Sequence, residues 1–274
     1  MPAPPPQIAA GTDAIDPRAL TAAGFATVVH RTRTDSTMDD ARALADAPAT
    51  RLPAVVVADL QAAGRGRRGA GWWQAPGALA ASIVLDGGSA GPPRPTWSLA
   101  CGVALAETIR TLEPPVAAVG RWPNDVEAGG RKLAGIIVET AARGRAVVGI
   151  GVNTAGSAAD APAPLRQRVA TLPDLTGRPL DRTALLTAFL PRFTELLATL
   201  ARDPDVLAGR YRPLCALEGT VVTLHSGATR HSGTCRGITP AGSLVIDTPT
   251  GRMEFTSGSL SDPAAAWPGP IGEY

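Results

Sequence analysis

At 274 residues the chain can bury a sizeable core and hold one large domain or two unequal ones. With 45% hydrophobic residues, 18% charged residues and a net charge of +2, it has no global pull toward a nucleic acid or a membrane surface. Three cysteines without a close pair argue against a disulfide framework, and no apolar run reaches membrane-spanning length.

Residues 1 to about 16 are rich in Pro and Ala and read as a disordered tail. They carry neither the basic nor the apolar segment of a secretion signal, so a soluble cytoplasmic protein is expected. A short helical turn is predicted over 20–25 and a strand over 28–31. Ser36 or Thr37 then caps a helix running to residue 44, with Asp39 and Asp40 favourable in its first turn. A helix start also exposes free N–H donors. Residues 54–58 form a β-branched run, read as a buried strand.

The stretch 61–77, QAAGRGRRGAGWWQAPG, sets Arg65, Arg67 and Arg68 among Gly64, Gly66, Gly69 and Gly71. Glycine permits close approach and positive φ, and arginine offers a donor fork for carboxylate or phosphate. Such a loop suits closing over an anion, although it lacks the Gly-Lys-Ser/Thr ending of a P-loop. Trp72 and Trp73 are either core residues or a ligand platform.

A strand is predicted over 78–85 and a turn at Pro92, Pro93 and Pro95. The helix expected over 96–112 is apolar nearly all round and so buried, with Cys101 in its core. A strand over 116–119 leads into Trp122-Pro123-Asn124-Asp125. Gly129-Gly130 makes a hairpin turn, 132–139 returns, and 147–152 ends at Asn153. Adjacent strands of this kind predict a mixed or antiparallel sheet. Asn124 and Asp125 read equally as Mg²⁺ ligands or as an Asx turn.

Residues 155–180 read as a polar loop with one short helix. Asp181 caps a long helix with an apolar stripe from Leu185 to Leu200, which Pro191 should kink or restart. Beyond Tyr211, short strands over 220–224, 229–237, 243–247 and 252–256 predict a small β-barrel followed by a tail. Cys215, His225, His231 and Cys235 match no common zinc spacing.

Four ordered motifs, Gly64-Arg65-Gly66-Arg67, Trp122-Pro123-Asn124-Asp125, Lys132-Leu133-Ala134-Gly135-Ile136 and Gly149-Ile150-Gly151-Val152-Asn153, resemble the biotin protein ligase family over roughly residues 28–260. The resemblance implies an α+β fold: the mixed sheet and helices of the biotin–lipoate ligase catalytic domain, like a class II aminoacyl-tRNA synthetase, with a Src-homology-3-like barrel. The implied divisions are an N-terminal tail and lead-in over 1–27, a catalytic domain over 28–212 and a small domain over 213–274. About 27 residues before the first strand are too few for the DNA-binding domain that some members carry.

The implied reaction makes biotinyl-5′-AMP from biotin and ATP with Mg²⁺, then passes biotin to a lysine of a carboxylase's carboxyl carrier domain. A monomer or weak homodimer without nucleic-acid or membrane partners is expected. By resemblance, Lys132 and Arg67 are the catalytic cations. Biotin would meet Ser36, Thr37, Met38, Gln61, Arg65, Gly66, Arg67, Lys132 and Gly135. ATP and the adenylate would meet Arg65, Arg67, Trp72, Trp122, Asn124, Lys132, Gly151 and Asn153, and Asp125 would serve the metal. Met38 stands where the family usually has Asn, and Ala70 where it commonly has Arg. Arg121 replaces the more usual Lys. Lys132 is the chain's only lysine, so the acceptor lysine must come from another protein. Lipoate ligases share the fold and are the nearest rival; the arginine loop with a small barrel also admits a nucleic-acid-binding module.

Overall fold

Strand alternation builds the centre of the molecule. In β2 (Ala54–Ala58), Val55 and Val57 join one apolar cluster while Ala54 and Val56 join another, so the strand is buried on both faces. The same parity runs through β3 (Leu79–Asp86), β6 (Arg131–Thr140) and β7 (Arg145–Val152). With β1 (Thr27–Arg31), β4 (Val119–Arg121) and β5 (Asp125–Ala128) they form a seven-stranded sheet in the order β1-β2-β3-β7-β6-β5-β4. Only the β1–β2 ladder is parallel, which gives the mixed sheet that the strand spacing predicts. The structure, a computed structural model, describes residues 13–87 and 95–261. The Pro-rich start before residue 13, the turn expected at Pro92 and Pro93, and the tail after residue 261 lie outside them.

Helices cover both faces. α2 (Thr37–Asp46) lays Met38, Ala41 and Ala45 on Ala54, Val56, Val84 and Val147. On the opposite face lie α3 (Pro95–Leu112) and α5 (Arg182–Leu200), packed on each other. Pro191 does not restart α5, which runs through it. Phe189, Leu190, Phe193, Leu196 and Leu197 are buried on both sides of the proline, and their burial outweighs its penalty of about 3 kcal/mol. α1 (Pro17–Ala22) begins earlier than the helical turn expected over 20–25, because Asp16 caps it and Pro17 suits its first position. α4 (Leu172–Thr176) is the short helix expected in the long loop, whereas α6 (Asp205–Tyr211) was not anticipated.

The C-terminal strands β8 (Val221–Ser226), β9 (Thr229–Ile238), β10 (Leu244–Thr248), β11 (Gly251–Phe255) and β12 (Ser259–Ser261) form an antiparallel sheet in the order β11-β10-β9-β8-β12. β12 is too short to read from sequence. Among the described residues the ladder ends at β11 and β12, so the small domain is a five-stranded sheet and the expected barrel closure is not part of the ladder. It is joined to the large sheet through Gly120, whose carbonyl accepts from Ala216 N at 2.9 Å and Tyr211 Oη at 3.2 Å. Trp122 Nε1 donates to Gly242 O at 3.0 Å. No helix among the described residues is long and apolar enough to cross a membrane.

One charged side chain is enclosed at the start of α5. Arg182 is 1% exposed and holds Asp13 through Nε at 2.7 Å and Asp59 through Nη1 at 2.8 Å; Asp59 also meets His30 at 3.0 Å. Removing the cation strands two carboxylates in a poorly hydrated place. Arg182→Met is expected to lose about 3 kcal/mol of stability in urea unfolding. An unchanged midpoint would show that the cluster is not structural.

Candidate active site

The site is built on a part of the sheet without large side chains. Gly135 of β6 pairs directly with Gly151 of β7, and Gly151 with Ala80 of β3. In the next row of the same face, Ile137, Gly149 and Ser82 are aligned. A Cβ on Gly151 would stand 2.5 Å from Trp72 Cε2, and one on Gly149 would stand 2.6 Å from Met38 Sδ. Glycine therefore leaves room for an indole and a thioether to lie close on the floor.

The start of α2 forms one wall. Ser36 caps the helix by accepting from Met38 N at 3.3 Å. Gln61 Oε1 accepts from Thr37 N at 2.9 Å and Thr37 Oγ1 at 3.1 Å, and Ser82 Oγ donates to Thr37 Oγ1 at 2.8 Å. Ser36 and Thr37 are thus fixed by the fold as well as facing the cavity.

The Gly-Arg stretch is a closed hairpin. Trp72 N donates to Gly64 O at 2.9 Å, Gly66 N to Ala70 O at 2.6 Å, and Arg65 bridges Gly71. Gly69 takes φ +76°, which a side chain would resist. This shape lays Trp72 over Gly151 and Gly135, with its buried indole N–H lacking a hydrogen-bond partner among the described residues. Arg67 Nη1 donates to Asn124 Oδ1 at 3.0 Å, and Asn124 Nδ2 donates to Ile136 O at 2.9 Å. Arg65 lies on the rim, paired with Asp39.

Lys132 is held at both levels. Its backbone N and O bond Arg168 O and Ala170 N at 2.8 Å each, and its Nζ lies 2.7 Å from Asp125 Oδ1 and 5.5 Å from the Trp72 ring centroid. The Nζ therefore rests between a carboxylate and an aromatic face.

One cavity gathers Ser36, Thr37, Met38, Gln61, Arg65, Gly66, Arg67, Trp72, Asn124, Lys132, Gly135 and Gly151. Sequence reasoning missed Ala81, Ile137 and Gly149 of the lining, although Gly149 stands two residues before Gly151 and so shares its face; Ser82, also missed, acts through Thr37. Asp125, Asn153 and Trp122 do not line the cavity. Asp125 reaches it through Lys132. Asn153 is buried, with Nδ2 donating to Ala170 O at 2.8 Å and Oδ1 without a partner among the described residues. Trp122 is buried at the junction, its N–H engaged by Gly242.

A model of the biotin/lipoate A/B protein ligase family matches residues 31–153. A biotin–[acetyl-CoA-carboxylase] ligase of Paracoccus denitrificans is 33% identical over 228 residues, 81% of this chain and 94% of its own. The chain belongs to the biotin protein ligase family. A second such ligase, from Mycobacterium tuberculosis, is 32% identical over 223 residues, 78% of this chain and 81% of its own. A biotin protein ligase from Aquifex aeolicus, solved in complex with biotin and ATP, aligns with a TM-score of 0.75 at 27% identity. The alignment covers 86% of this chain and 98% of that one.

The glycine floor of this family member can be tested directly. Gly151→Ala is expected to displace the Trp72 indole and cost about 1–3 kcal/mol through overpacking. The check is tryptophan emission with thermal unfolding, in the parent and in a Trp72→Phe background. A shift equal in both backgrounds would show that Trp72 does not rest on Gly151.

Proposed function

We propose that the chain is an ATP-dependent biotin–protein ligase. In the first step a biotin carboxylate oxygen attacks the α-phosphorus of ATP, and pyrophosphate leaves. In the second, a carrier lysine amine attacks the biotinyl carbonyl, loses a proton, and AMP leaves. The observation that carries this reading is the convergence of Arg67 and Lys132 on one glycine-floored cavity, in a chain of this family. Both first-step reactants are anions, so catalysis is mostly positioning and charge neutralisation.

In this reading Lys132 bridges the biotin carboxylate and the α-phosphate. Arg67, aimed by Asn124, holds the phosphate, and Arg65 closes the rim. Ser36, Thr37 and Gln61 supply polar contacts to the biotin head, while Met38, Gly66 and Gly135 shape the space around it. Trp72 covers the adenylate above Gly151. Asn153 would turn its Oδ1, without a partner among the described residues, toward the adenine, and Trp122 would act by bracing the turn that carries Asn124 and Asp125.

Mg²⁺ fits as a companion of the nucleotide. Among the described residues no cluster of three or more His, Cys, Asp or Glu side chains could hold a metal ion, and Asp125 is engaged by Lys132. A magnesium ion commonly takes one or two carboxylates and completes its shell with phosphate and water. Bound this way it would neutralise phosphate charge, with Asp125 as its protein ligand. The acceptor is proposed to be the biotin carboxyl carrier domain of an acyl-CoA carboxylase, and the setting the cytoplasm.

Incubating a recombinant carrier domain with the protein, biotin and MgATP should add one biotin mass to one lysine, read by mass spectrometry. A lipoyl adduct formed in preference from a biotin and lipoate mixture, or no adduct at all, would contradict the assignment.

Arg67 has a second task after the first step, because the mixed anhydride reacts with any amine. A charge-assisted contact contributes about 1.5–3 kcal/mol, so its loss should speed adenylate release by about ten- to a hundredfold. Arg67→Gly is expected to form biotinyl-AMP, release it early and biotinylate bystander albumin. Parental retention with unlabelled albumin would assign the holding to another group.

A further inference from the structure

The loop that carries the cations is fastened at its base by a side chain that no motif contains. Gln74 Oε1 accepts from Gln61 N at 3.1 Å, and its Nε2 donates to Asp59 O at 3.1 Å and Ala78 O at 3.2 Å. One amide thus joins both ends of the 59–78 connection between β2 and β3. On the β2 side the anchorage continues inward, since the Asp59 carboxylate is held by buried Arg182 at 2.8 Å and by His30 at 3.0 Å. On the cavity side, Gln61 Oε1 is already occupied by Thr37 N and Thr37 Oγ1. On one side the backbone around Gln61 is held by Thr34, whose N donates to Leu60 O at 3.1 Å and whose O accepts from Ala62 N at 2.8 Å; Gln74 takes the Gln61 N–H that this bridge leaves, and Thr37 takes the side-chain carbonyl, which directs the remaining Nε2 donor at the cavity that Gln61 lines.

We propose that Gln74 is a positioning residue for biotin: it clamps the base of the Gly-Arg loop so that the Gln61 amide is oriented before the substrate arrives. The proposal rests on the ligase reading above. Orienting a donor in advance removes an ordering cost from binding. Gln74 acts through Gln61 and should affect biotin far more than ATP.

The test is steady-state ligation by the full chain with Gln74→Met, which keeps the side-chain length and removes the amide. Losing its hydrogen bonds should raise the KM for biotin about tenfold, with kcat and the KM for ATP within about twofold of the parent. In a Gln61→Ala background the same change should raise the biotin KM less than about twofold, because the residue it positions is already gone. Gln74→Glu retains the acceptor for Gln61 N and should give a smaller rise than Gln74→Met, and it serves as the readout if Gln74→Met does not fold. An unchanged biotin KM, equal effects in both backgrounds, or a lowered melting temperature as the sole change overturns the proposal. A parent that ligates no biotin contradicts the ligase reading itself, and this proposal with it.

Discussion

The site depends on the lack of side chains along a row of the sheet. Gly135 and Gly151 are direct partners in the β6–β7 ladder, so their bare faces form a continuous floor that one glycine could not supply. Trp72 can lie on that floor, and Lys132, three residues before Gly135, can fold back beneath the indole. Sheet register, which puts alternate residues on opposite faces, gives the same strands an apolar underside: Ala134, Ile136, Val148, Ile150 and Val152 join the apolar cluster that also holds residues of α3 and α5. The strands therefore serve packing on one face and ligand space on the other.

Charge is arranged around this floor in pairs. Asp125 meets Lys132, Asn124 meets Arg67, and Asp39 meets Arg65. Each cation is held near the cavity by a neighbour that an anionic ligand could replace or join. Two of the three partners come from the Trp122-Pro123-Asn124-Asp125 turn. That turn is in turn fixed by Trp122 against Gly242 of the small domain. The small domain thereby contributes to the site without lining it.

Much of this was legible in the sequence, for identifiable reasons. Strands such as 54–58 and 147–152 show as β-branched runs, and α2 and α5 show through Ser36 and Asp181, caps whose side chains do bond the first turns. The members of the cavity were legible because the four motifs fall in the Gly-Arg loop, at the turn after β4, and along β6 and the end of β7, with Ser36 and Thr37 at the start of α2. What escaped depends on tertiary contacts. Nothing local marks Arg182 as an enclosed cation, since its partner Asp13 is 169 residues away, and Gln74 clamps backbone groups, at Asp59, Gln61 and Ala78, that carry no side-chain signal. Trp122 reads as a motif residue like its neighbours, yet only the position of the small domain shows what its indole bonds. Of the kink or new start expected at Pro191, the new start did not occur, because packing outweighed local propensity.

The central claim is that Lys132, the chain's only lysine, brings two anions together. Biotin-dependent pyrophosphate release from MgATP by Lys132→Ala measures it most directly, with circular dichroism to confirm the fold. Loss of one preorganised donor in such a site should slow release by about 10²–10³-fold. Release at close to the parental rate by the folded variant would contradict it.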